Sequence, residues 1–92
     1  MEIIELIDSE CQNIAEMLKA KNKAYGNSFA GPSNIFCKLS AMDQLNVRID
    51  DKLNRIAKGQ NLEAVQEDTI LDLIGYLILK RVLGRLVAKS LL

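Results

Sequence analysis

At 92 residues the chain has the length of one domain, residues 1–92, and 49% of it is hydrophobic. Twelve basic side chains offset twelve acidic ones, so there is no net field to gather a polyanion, which argues against a nucleic-acid polymer as partner. The absence of histidine excludes Ser-His-Asp and Cys-His nucleophilic sites, histidine bases and histidine-ligated zinc, and leaves carboxylates, amines, hydroxyls and two thiols for chemistry.

The chain opens on MEIIELIDSE, which is acidic where an export signal is basic, so a cytoplasmic protein is expected. Ile3 to Lys23 forms the first predicted helix, with Ile3, Ile7, Ile14 and Leu18, and Cys11 between them, recurring at three- and four-residue steps. Cys11 and Cys37 lack CxxC spacing and read as reduced, largely buried thiols that support no metal site. The run breaks at AYGNSFAGPSN, where Gly26, Asn27, Gly31 and Pro32 cluster and Ser33 or Asn34 is placed to cap the next helix.

The second predicted helix runs from about Asn34 to Ala57, with room for a break near Ser40, and is stopped by Gly59. Leu39, Met42, Leu45, Ile49, Leu53 and Ile56 make its core stripe. Arg48, Lys52 and Arg55 flank the stripe on one side, Asn46 and Asp50 on the other, and Asp51 points nearly away. After a short link the third helix begins near Leu62, or nearer Gln66 if its start is irregular. With no strand-like alternation, the expected fold is all-α: an antiparallel bundle in up-down order, the second and third helices side by side.

The third helix shapes the functional reading. Asp68 and Asp72 stack one turn apart, with Gly75, Leu79, Leu83 and Leu86 continuing the same side, while Ile70, Ile74, Leu77 and Ile78 project from the other. A helix apolar on both sides must be covered on both, so completion of the core by a second copy of the chain is expected. Ile70 to Leu79 is too short between charges to span a membrane. Asp68 and Asp72 then lie in or beside apolar surface, and Tyr76, one turn beyond Asp72, offers no positive charge, so a cation from elsewhere is implied. Either Arg48, Lys52 or Arg55 crosses from the second helix as an ion pair, or a hard divalent ion such as Mg²⁺ binds there and leaves positions for water and phosphate oxygens.

Lys21, Asn22, Lys23, Tyr25, Asn27 and Ser28 form a second constellation. Cations at a helix end followed by amide and hydroxyl donors suit a phosphate or a nucleobase edge. They equally suit an ordinary helix C-terminus and turn.

Taken in order, KNKAYGNSF, RIDDKLNRI and EDTILDLIGYLIL resemble the nucleotide-modification-associated family of small helical domains. That family is in turn similar to the all-α nucleoside triphosphate pyrophosphatases, which include MazG-like proteins and dimeric dUTPases. The likeness spans Lys21 to Leu79. It implies a helical bundle that forms a homodimer or homotetramer and a Mg²⁺-dependent hydrolase that cleaves a nucleoside triphosphate to monophosphate and pyrophosphate. By the same resemblance Asp68, Asp72 and Glu67 are the catalytic acids, and Asp51, Asp50, Asp68 and Asp72 the metal ligands. Lys21, Asn22, Tyr25, Lys52 and Arg55 would hold substrate. Two departures stand out. MazG-like enzymes carry ExxE on the earlier helix and ExxD on the later, whereas here those positions read Asp51 with Asn54 and Thr69 with Asp72. A non-catalytic nucleotide-binding or assembly module is therefore the alternative.

Overall fold

The computed structural model describes residues 2–59 and 63–90, the latter with side chains from residue 67 onward, and its elements are three helices: α1 (Ile3–Tyr25), α2 (Ala41–Ala57) and α3 (Glu63–Ala88). The class is all-α, and no described helix is long and apolar enough to cross a membrane. A start of the third helix at Leu62 falls outside the described residues.

Each boundary has a local cause. α1 continues past Lys23 to Tyr25 and ends where Gly26 turns left-handed at φ 60°, its N–H donating to the Asn22 carbonyl. Asn27 follows at φ 61°, a conformation that asparagine tolerates better than most residues, and its N–H reaches the same carbonyl at 3.3 Å. α2 starts later than its sequence suggests. Asn34 is itself left-handed, at φ 51°, which is incompatible with the extended backbone of a helix N-cap, and no helix follows Ser33 before Ala41, so neither caps the helix. Ser40 does, with its Oγ accepting the Asp43 N–H at 3.1 Å.

Contacts between helices fix their directions. Asn46 with Lys80, Arg48 with Tyr76 and Lys52 with Asp72 pair residues of rising number on α2 with falling number on α3, so these two helices are antiparallel. Lys21 with Asp72 and Leu18 with Gly75 show that α1 also meets α3 in the opposite sense. α1 and α2 thus run the same way, which departs from a simple up-down order. Residues 26–40 are long enough to carry the chain back between them. Gly75 permits the α1–α3 approach: a Cβ there would stand 3.0 Å from Leu18 Cδ2.

The core is thin. Among the described residues its buried hydrophobic side chains are Ile14, Leu45, Ile49 and Leu83. Of the expected stripes, Leu39, Leu53 and Ile56 are exposed, as are Ile3 and Ile7 on α1. Cys11 and Cys37 are exposed too, correcting the expectation of buried thiols: cover on α1 begins at Ile14, one turn beyond Cys11, and Cys37 lies in an exposed stretch of the connector. On α3 the side bearing Gly75 and Leu83 is covered, while Ile70, Leu77 and Ile78 of the other side remain exposed.

Candidate functional site

The second half of α1, the 26–40 connector, the start of α2 and the middle of α3 enclose a cleft of about 730 Å³. That is ample for a small organic ligand. α1 contributes Lys21, Asn22 and Tyr25, the connector Phe29 and Asn34, α2 Gln44 and Arg48, and α3 Asp72 and Tyr76. Three of the four aromatic residues of the chain, Tyr25, Phe29 and Tyr76, line it.

Asp72 is the acid of the cleft, and two ammonium groups balance it. Lys21 Nζ lies 3.9 Å from Oδ1 and Lys52 Nζ 3.5 Å from Oδ2. Lys52 is mostly buried, with 14% of its side chain exposed, and it also stands 3.8 Å from Asp51 Oδ2, which faces Arg55 Nε at 3.4 Å. The result is a ladder of alternating charge, Lys21–Asp72–Lys52–Asp51–Arg55, that ties all three helices together. Its outer rungs are solvent-exposed and individually weak; the Lys52 rung, largely removed from water, depends on both carboxylates.

The other acids expected at the site stand apart from it. Asp68 and Glu67, about one turn before Asp72 on α3, are exposed, as is Asp50 on α2, and none lines the cleft. Asp68 is solvated and so needs no balancing cation, unlike Asp72. Arg55 is held at Asp51, away from the cleft wall. Asn22 is committed to the loop: its Nδ2 donates to Asn27 Oδ1 while its carbonyl receives the Gly26 and Asn27 N–H groups. At the far end Gln44 Nε2 bonds Asn34 Oδ1 at 2.7 Å and the Leu39 carbonyl at 2.9 Å, pinning the connector to α2.

Among the described residues no three of His, Cys, Asp and Glu gather closely enough to form a metal cage. Asp51 and Asp72 are nevertheless drawn toward one point, the Lys52 ammonium. The ammonium already fills that point, so the two carboxylates are balanced there by Lys52 itself.

The part that Arg48, Tyr76, Gln44 and Phe29 play in the cleft was not evident from their spacing. For the first two a signal exists: Arg48 precedes Lys52 by one turn and Tyr76 follows Asp72 by one turn, so antiparallel pairing of Lys52 with Asp72 brings Arg48 to Tyr76. Comparison of the chain with protein-family models, with curated proteins and with solved structures returned no match.

Proposed function

We propose that the cleft binds a nucleoside triphosphate and that the chain is a Mg²⁺-dependent pyrophosphohydrolase-like protein, releasing monophosphate and pyrophosphate. The observation that carries this reading is that all three stretches of family resemblance reach one cleft, the first with Lys21, Asn22, Tyr25 and Phe29, the second with Arg48 and the third with Asp72 and Tyr76. Rings offer a face for a base to stack on, amides can pair with its edge, and cations attract phosphate.

In this reading Lys21 and Lys52 fix the Asp72 carboxylate, Lys21 from the cleft wall and Lys52 from behind it, while Arg55 stays with Asp51 off the wall. Asp72 accepts a hydrogen bond from the attacking water and orients it. Asp68 and Glu67 are reserve acids one turn away, and Tyr25 and Asn22 border the substrate. Bound Mg²⁺ would be held by Asp72, the acid that lines the cleft, and would neutralise the triphosphate and lower the pKa of water.

One feature favours a second reading. Asp72 already carries two lysines, as a purely structural acid would, and this suits a nucleotide-binding module without catalysis. Incubation with Mg²⁺ and a panel of canonical and modified nucleoside triphosphates, with pyrophosphate measured, separates the two. Turnover that Asp72→Asn abolishes with helical content intact supports the hydrolase. Binding without turnover supports the module, and absence of both overturns the nucleotide reading.

We also propose that the chain works as a homodimer or homotetramer. The exposed Ile70, Leu77 and Ile78 on α3 and the exposed Ile3, Ile4, Leu6 and Ile7 on α1 support this. Such surface is costly to leave in water.

A further inference from the structure

We infer that Arg48 is the anion receptor of the cleft, the guanidinium that takes a phosphate group of the ligand. The proposal deepens the nucleotide reading and rests on it for the identity of the ligand, although anion capture itself can be tested separately.

Nearby cations already have partners. Lys21 and Lys52 flank Asp72, Arg55 faces Asp51, and Lys80 donates to Asn46 Oδ1 at 2.8 Å. Arg48 differs. Among the described residues its only partner is the Tyr76 ring, whose centroid lies 5.9 Å from Cζ. A ring holds a guanidinium through its quadrupole and leaves the charge and the in-plane N–H groups available. The planar fork of arginine, so presented, matches two oxygens of a phosphate.

The charges around it point the same way. Among the described residues the charged ones of the cleft wall are Lys21, Arg48 and Asp72, and Asp72 is offset by Lys21 and Lys52, so among them the positive charge of Arg48 is left uncompensated. Gln44, one turn earlier on α2, lines the same wall and is itself anchored, so the arginine rises from a fixed stretch of helix. Arg55, the arginine expected from the resemblance to contact phosphate, is occupied by Asp51 and lies off the cleft wall.

The test is calorimetric titration of the full chain with inorganic tripolyphosphate and with nucleoside triphosphates, comparing wild type, Arg48→Gln and Arg55→Gln. Circular dichroism of each variant confirms folding, and the exposure of Arg48 makes Arg48→Gln tolerable. The expected result is tripolyphosphate binding that Arg48→Gln weakens by about tenfold or more and Arg55→Gln by less than about twofold. Arg48→Lys, which keeps charge without the fork, should fall between wild type and Arg48→Gln. Tripolyphosphate binding unchanged in Arg48→Gln, or absent from wild type, overturns the inference. If tripolyphosphate binds through Arg48 but nucleosides add no affinity and no cleavage occurs, the inference stands and the nucleotide reading falls. If nucleoside triphosphates bind and are cleaved equally well by Arg48→Gln, the reverse holds.

Discussion

The Ser40 hydroxyl, by accepting the Asp43 N–H, satisfies one of the donors that the first turn of α2 leaves free, and in doing so sets where the connector ends and the cleft wall begins. Replacing it with alanine removes that bond with no large loss of packing, since the residue is exposed. Ser40→Ala should cost about 1 kcal/mol of stability in urea unfolding. A change near zero would mean that the cap contributes nothing. Gly26 makes a second case at the opposite rim. A Cβ there would meet nothing within 4 Å, so any penalty comes from the left-handed backbone alone, at φ 60°. Gly26→Ala should therefore destabilise by roughly 1 kcal/mol through backbone strain, while Gly31→Ala, with equal space and no positive φ, should be milder. Equal effects would show that strain at Gly26 is not the cause.

At the scale of the element, α3 is the helix against which both others pack, and its two glycines, Gly75 near the middle and Gly84 toward the C-terminal end, differ in what surrounds them. Gly84 faces open space, whereas a Cβ on Gly75 would press on Leu18 Cδ2 at 3.0 Å. Helix propensity alone favours alanine over glycine by about 1 kcal/mol at either site. Gly84→Ala should thus raise the melting temperature by several degrees, about 4–8 °C for a domain of this size if the full gain appears. Gly75→Ala should gain less, because Leu18 must move. Equal gains would contradict the close packing of α1 on α3.

The helices themselves were legible because their apolar residues repeat at the helical period, as Leu45 and Ile49 do on α2. The start of α2 was not, since Ser33, Asn34 and Ser40 are all good cap residues and the choice rests on the left-handed turn at Asn34. For the site, Lys21, Asn22, Tyr25 and Asp72 were named from sequence and line the cleft together. Asp68 shares a helix face with Asp72 but not its surroundings, because periodicity does not say where the covering helices end. The place of Arg48 over Tyr76 depends on the register between two helices, which no single segment encodes.

At the scale of the whole molecule, the chain is more extended than a monomer of its size needs to be. Its accessible surface is 7236 Å² for 10.3 kDa, whereas a folded monomer of that mass exposes about 5,400 Å². Its radius of gyration is 15.0 Å, against about 12 Å for a compact domain of this length. The excess surface is of the order that each partner contributes to a stable obligate interface. Sedimentation equilibrium should accordingly give at least twice the 10.3 kDa chain mass. Leu77→Lys and Ile78→Lys, at positions exposed in the single chain, should shift the equilibrium toward monomer while the helical content is kept. A wild-type chain that remains monomeric at high micromolar concentration would contradict self-association.

Ligand binding in the cleft is the central claim, and amide chemical-shift mapping during titration with a nucleoside triphosphate and Mg²⁺ tests it directly. The largest shifts should fall on Lys21, Asn22, Tyr25, Gln44, Arg48, Asp72 and Tyr76, which three helices bring to one wall. Shifts confined to the exposed start of α1 or the outer face of α3, with these seven unmoved at saturation, would contradict it.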